Sequence, residues 1–173
     1  MPTLHVCPVS RLPDTLRETQ ASHVVSLLAV TGVVERPAGI AEGRHLFIGM
    51  SDIVEAADGH VLPGHEHVQA LLDFVGRWDR ERPLVIHCWA GISRSTAGAY
   101  IAACALMPSR SEEALAKALR RASPMATPNR RLIAVADEIL GRQGRMIEAI
   151  AAIGRGAEAF EGIPFRLPIQ HGA

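Results

Sequence analysis

A charge excess of either sign is missing from these 173 residues: Lys and Arg total 18, and Asp and Glu total 18. Without a basic surplus, nothing at the level of the whole chain asks for nucleic acid or an anionic membrane. An anionic ligand has to be met by a local site. Cysteine is scarce too, with Cys7, Cys88 and Cys104 far apart and odd in number. No Cys-x-x-Cys pair exists, so neither a zinc framework nor a disulfide scaffold is expected. Cys7 and Cys104 read as small buried hydrophobes, and reduced thiols fit a cytoplasmic protein. The first residues, Met1-Pro2-Thr3-Leu4-His5, carry no basic stretch followed by an apolar run, so no secretory signal is expected. Long uninterrupted apolar runs are also lacking. The one extended apolar stretch, Leu84 to Met107, contains His87, Gly91 and Arg94. It reads as a buried strand followed by a buried helix rather than a membrane span. There are no internal repeats and no low-complexity segments.

What is present suits an ordinary globular domain. Hydrophobic residues make up 48% and charged residues 21%, enough to bury a core at this length. Short β-branched runs predict strands at Leu4–Cys7, His23–Val30, His45–Met50 and Pro83–His87. The stretch from Gly32 to Gly43 reads as loop. Ser10 can cap a helix over Leu12–Thr19. Val68, Leu71, Leu72, Val75 and Trp78 recur at helical spacing, which predicts an amphipathic helix over His65–Arg80. Further helices are expected over Arg94–Leu106, from Ser111 (as cap) to Ala122, over Asn129–Leu140 and over Arg145–Ile153. Pro164 and Pro168 mark the tail, Phe160 to Ile169, as an extended strap on the surface. Strands alternating with helices, then mostly helices, argue an α/β fold: a single domain over 1–173 with a mainly parallel central sheet flanked by helices. Its core is expected over about 23–140, with a C-terminal helix and tail over 141–173.

The segment His87-Cys88-Trp89-Ala90-Gly91-Ile92-Ser93-Arg94-Ser95-Thr96 carries the chemistry. A buried strand ends at Cys88, a short turn of small residues follows, and a helix starts at Arg94. Such a turn aims successive backbone N–H groups at one point, and the helix adds its unpaired N–H groups and positive dipole end. Trp89, Ala90, Gly91, Ile92, Ser93 and Arg94 would therefore line an anion site, with the Arg94 fork matching two phosphate oxygens. Amide donors, a helix start and an arginine favour the ionised form of a thiol, and the thiolate is the competent nucleophile. Attack at phosphorus would form a phosphocysteine, splitting one hard displacement into two easier steps.

His-Cys-x5-Arg-Ser/Thr is the signature of the protein tyrosine phosphatase superfamily, and every fixed position of it is met by His87, Cys88, Arg94 and Ser95. The chain resembles that superfamily, and its short length resembles the compact dual-specificity-like branch. The resemblance covers the span from His23 to about Leu140 and leaves the first twenty residues and the tail unmatched. It implies hydrolysis of phosphotyrosine, with phosphoserine and phosphothreonine as further substrates, in a phosphorylated protein or small phosphate ester, without cofactor or metal. It also implies that Ser95 helps the sulfur leave in the second step, and that His87 orients the loop without acting as a base.

The resemblance requires a carboxylic acid on an earlier loop, and two aspartates compete for the role. Asp52 directly follows the His45–Met50 run and is favoured, because a position at a strand end holds distances better. Asp58, in Asp58-Gly59, is the alternative; Asp-Gly is also an ordinary turn. Pro128-Asn129 resembles the segment that opens a late helix in dual-specificity phosphatases. Asn129 would cap that helix and support the phosphate loop or the acid loop. His60, His65 and His67 cluster in sequence but lack the spacing of a metal site. Two alternatives differ in outcome: a module that binds a phospho-ligand without turnover, and the same chemistry on a phosphoinositide. The uncharged residues Trp89 to Ser93 weigh against a highly phosphorylated substrate.

Overall fold

The computed structural model describes residues 1–29 and 34–170; Val30 and Gly32, which end an expected strand and begin an expected loop, lie outside them. Among the described residues the strands are β1 (Thr3–Pro8), β2 (His23–Leu28), β3 (His45–Gly49), β4 (Leu84–Cys88) and β5 (Phe165–Pro168). The helices are α1 (Leu12–Thr19), α2 (His65–Gly76), α3 (Arg94–Leu106), α4 (Glu112–Ala122), α5 (Arg130–Ile139) and α6 (Arg145–Ile153).

The sheet runs in the order β3-β2-β4-β1-β5. Its first three pairings are parallel, and β5 pairs antiparallel with β1. The fold class is the expected one: α/β, with a mainly parallel sheet between helices. Strand β4 sits between β2 and β1, so the end of the strand that bears Cys88 is paired on both sides (Cys88 with Pro8 in register, and His87 with Ser26). Side chains alternate across a sheet. Leu84, Ile86 and Cys88 therefore join the large core under α2 to α6, whereas Val85 packs with Cys7 and Ala21 on the face covered by α1.

Four expectations need correction. The core is not confined to 23–140, because Leu4 and Val6 ahead of that span and Met146, Leu167 and Ile169 behind it are buried. The tail is not a strap lying on the surface throughout: its last part becomes β5 and completes the sheet, which hides Leu167 and Ile169. Ser10 does not cap α1. The cap position is Arg11, without a side-chain bond, and the Ser10 hydroxyl instead donates to both oxygens of Glu161 at 3.0 and 2.9 Å. Helix α2 stops at Gly76 and not at Arg80. Trp78 stays buried through a turn in which its Nε1 donates to Arg82 O at 2.9 Å, and burial without helix mimicked helical spacing. Helix α4 begins as expected, with Ser111 Oγ accepting from Ala114 N.

Two acidic groups fix the late helices. Glu112, buried at the start of α4, accepts from Arg142 and Arg145. The Asp137 carboxylate accepts from Gly144 N at 2.7 Å and Met146 N at 2.8 Å, satisfying donors that α6 leaves open at its start.

Candidate active site

The loop between β4 and α3 is bolted from outside through its carbonyls. Trp89 O accepts from Val9 N at 3.2 Å, Ala90 O from Gly162 N at 2.7 Å, Ile92 O from Thr127 N at 2.9 Å, and Ser93 O from Asn129 N at 3.2 Å. Thr96 Oγ1 adds bonds to Ile92 O at 2.5 Å and Ser93 O at 3.1 Å. In a trans peptide the N–H points opposite to the carbonyl, and no cis bond is found among the described residues. Each carbonyl drawn outward therefore turns the following N–H, of Ala90, Gly91, Ser93 or Arg94, the other way. The Gly91 case is directly visible: its N–H donates to Cys88 Sγ at 3.3 Å. Gly91 has φ +68, and a Cβ there would stand 2.6 Å from Pro8 N. Any side chain at this position would be both strained and obstructed.

Cys88 lies at the floor, 2% exposed, and its thiol donates to Ser95 Oγ at 3.1 Å. Arg94, 8% exposed, donates from Nη1 to Met50 O at 3.0 Å; its Nε is buried and without a hydrogen-bond partner among the described residues. Arg94 thus holds the chain two residues before Asp52 while its buried Nε stays uncommitted. Trp89 stands on the rim, 64% exposed, so it is not a core residue.

Of the two competing aspartates, the structure brings Asp52 to the loop. Its Oδ1 accepts from Ser93 Oγ at 2.7 Å and from Asn129 Nδ2 at 2.8 Å, and its Oδ2 makes no hydrogen bond among the described residues. Asp58 makes no hydrogen bond to the loop among the described residues and sits in an Ala57–His60 turn closed by His60 N to Ala57 O at 3.1 Å, with Gly59 at φ +75. That is the geometry of a turn with glycine in its third place. Asn129 serves in three ways at once. Its Oδ1 caps α5 by accepting from Leu132 N, its Nδ2 reaches Asp52 and Ile53 O, and its own N–H holds Ser93 O. A cleft of about 790 Å³ opens beside the loop rather than over Cys88, lined among others by Asp52, Val54, Ser93, Asn129, Arg130 and Arg155.

His87 is 1% exposed and belongs to a buried chain that its sequence neighbours do not suggest. Ser26 Oγ lies 2.6 Å from His87 Nε2 and 2.9 Å from His45 Nε2. One hydroxyl has one hydrogen, so Ser26 donates to one imidazole and accepts from the other. Burial, with His45 nearby, pushes His87 down from 6.5 to about 4. The unfolded chain therefore takes up a proton more readily, and stability is lost as pH falls from about 6.5 towards 4. His87 should contribute about 3 kcal/mol to that loss. Since burial also lowers His5, His23 and His45, the comparison with His87→Gln isolates it. In urea titrations the variant should show a shallower decline from pH 7 to pH 4, and an unchanged slope would refute the assignment.

The remaining candidates have local roles. His67 Nδ1 accepts from Gly64 N at 3.0 Å at the start of α2, and His60 bonds Ser51. Cys7 and Cys104 are buried free thiols, raised by burial to about 11 and about 12. Sequence reasoning missed Val9, Ser26, His45, Met50, Thr127 and Gly162, and gave Thr96, the last residue of the motif segment, no role. Thr96 alone carried a signal, as a hydroxyl in the first turn of a helix whose start was recognised.

No family model matches the sequence, and no curated protein is similar to it at a significant level. Solved structures do match. DUSP15 superposes with a TM-score of 0.64 over 92% of this chain and 96% of its own, at 18% identity. Human tyrosine phosphatase-like serine/threonine/tyrosine-interacting protein reaches 0.60 over 81% of this chain and 92% of its own, at 15% identity. Human DUSP28 reaches 0.58 over 81% and 94%, at 19% identity. The fold is that of the dual-specificity phosphatases. Within that fold the matched span includes more than the motif-bearing centre, since 92% coverage cannot be reached without much of the first twenty residues or the tail.

Proposed function

We propose that this chain with the dual-specificity phosphatase fold is a phosphomonoester hydrolase acting on phosphotyrosine, and on phosphoserine and phosphothreonine, in a phosphorylated protein or small phosphate ester. The observation that carries the proposal is the set of outward-tied carbonyls around buried Cys88, which leaves a ring of inward N–H groups beside the uncommitted Arg94 Nε. Such a ring complements a phosphoryl group whose charge is spread over three oxygens.

In the first step the Cys88 thiolate attacks phosphorus. The S–P bond forms, the P–O ester bond breaks, and the leaving oxygen takes a proton from Asp52. Anchoring through Oδ1 leaves Oδ2 to carry that proton. In the second step Asp52 takes a proton from water as the water oxygen attacks phosphorus. The S–P bond breaks, inorganic phosphate leaves, and the Ser95 hydroxyl donates to the departing thiolate across the 3.1 Å contact. Arg94 and the loop amides bind the phosphoryl oxygens in both steps. Exposed Trp89 offers a flat face to the substrate at the rim. Three free cysteines suit a reducing compartment, and a cytoplasmic location belongs to the proposal. No helix among the described residues is long and apolar enough to cross a membrane.

The reduced protein should hydrolyse p-nitrophenyl phosphate without added metal. Phosphotyrosine peptides should be turned over faster than inositol phosphates, given the uncharged Trp89–Ser93 segment. Phosphate binding without any turnover would instead make the chain a phospho-ligand module, and a preference for inositol phosphates would overturn the substrate assignment.

A further inference from the structure

One of the four donors that hold the loop comes from the segment that follows the late helices. After α6 the chain runs along the site and is tied at successive points. Arg120 Nη2 donates to Gly154 O at 2.7 Å, Gly156 N to Thr127 Oγ1 at 3.1 Å, and Ala157 N to Pro124 O at 2.9 Å. The same Arg120 holds the Ser123, Pro124 and Ala126 carbonyls through Nη1, directly ahead of Thr127, whose N–H grips Ile92 O. Glu161 is then held by Ser10, Gly162 N reaches Ala90 O, and β5 closes the path against β1. At Gly162 the strap lies so near the loop that a Cβ would stand 2.7 Å from Gly91 O.

The Gly162 bond acts on one particular peptide. It draws the Ala90 carbonyl outward, and the other end of that peptide is the Gly91 N–H that faces Cys88 Sγ. We infer that Gly162 is a positioning residue of the anion site, setting the Gly91 N–H through the Ala90–Gly91 peptide. The C-terminal strap is thereby part of the phosphate-binding machinery and not only of the fold. The inference rests on the phosphate-loop reading given under Proposed function, but not on turnover. When an oxyanion accepts from Gly91 N–H, the peptide is polarised and its carbonyl becomes a stronger acceptor. Phosphate and Gly162 are then coupled through a single peptide unit.

Two measurements with inorganic phosphate test this. In isotope-labelled wild-type protein, titration should move the Gly162 amide resonance together with that of Gly91. In Gly162→Ala, where the new Cβ pushes the strap off the loop, phosphate affinity should fall about tenfold, the scale of one well-aligned hydrogen bond. Turnover of p-nitrophenyl phosphate should fall with it, while the melting temperature changes little. A Gly162 resonance that stays still while Gly91 moves would overturn the inference, and that readout needs no variant to fold. So would Gly162→Ala with wild-type phosphate affinity; either result leaves the hydrolase reading standing. Wild-type protein that neither binds nor hydrolyses phosphate esters would sink the hydrolase reading itself.

Discussion

Cys88→Ser is expected to lower turnover of any phosphomonoester by about 10⁴-fold or more, because the step that forms the covalent intermediate has no other nucleophile. The change is nearly isosteric, and Cys88 sits on a floor where little room exists for anything larger. A serine oxygen can replace sulfur toward both Ser95 Oγ and Gly91 N. The carbonyl ties that orient the loop do not pass through residue 88, so phosphate affinity should persist. Single-turnover assays with the wild-type protein should trap a phosphocysteine on acid quench, and Cys88→Ser should show none. Retention of most activity by the serine variant would exclude the mechanism. Loss of both activity and phosphate binding would point instead to collapse of the loop.

The second large effect concerns the proton donor. Asp52→Asn should reduce turnover of phosphotyrosine or an alkyl phosphate by about 10²-fold or more. It should cost less with p-nitrophenyl phosphate, whose leaving group departs without a proton. The asparagine variant is informative because of how Asp52 is held. Its Oδ1 accepts from Ser93 Oγ and Asn129 Nδ2, and an amide oxygen can accept both bonds. The acid loop therefore stays where it is, and only the proton is lost. Asp58→Asn alters a turn residue with no hydrogen bond to the loop among the described residues and should leave turnover within about twofold. If the two variants exchanged these results, the general acid would be Asp58, and the Ser93–Asp52–Asn129 contacts would be purely structural. Asn129→Ala should give an intermediate loss, as Asp52 then keeps one of its two anchors and α5 loses its cap.

The strand–loop–helix over Leu84 to Leu106 was legible from sequence because its determinants are local. A short β-branched run, small residues in the turn and an uninterrupted helix-forming stretch all lie within one contiguous segment. Cys88, Arg94 and Ser95 could be assigned together because their spacing is set by that one turn. The mainly parallel sheet was legible for a similar reason, as short buried strands interspersed with helices have few other ways to pair. Helix caps at Ser111 and Asn129 were readable as well, since a cap needs only a side chain and the next three residues.

What the sequence could not contain is which distant donor meets which carbonyl. Val9, Thr127, Asn129 and Gly162 come together at the loop only because β1 lies beside β4, α5 follows a turn held by Arg120, and the tail returns to the sheet as β5. A backbone N–H carries no residue-type signature, so three of these four partners left no motif to find. The choice between Asp52 and Asp58 was tertiary for the same reason: both are plausible loop carboxylates by type and spacing. Hydrogen bonds from Ser93 and Asn129 put one at the loop, and the other sits in a closed turn with no hydrogen bond to the loop among the described residues. The sequence by itself placed Cys88, Arg94 and Ser95 on one strand–loop–helix and determined the class of fold. Tertiary structure decided how the loop is held, which aspartate stands beside it, and that Gly162, in the segment after α6, reaches it. Those are contacts between segments far apart in the chain, made only when the sheet closes.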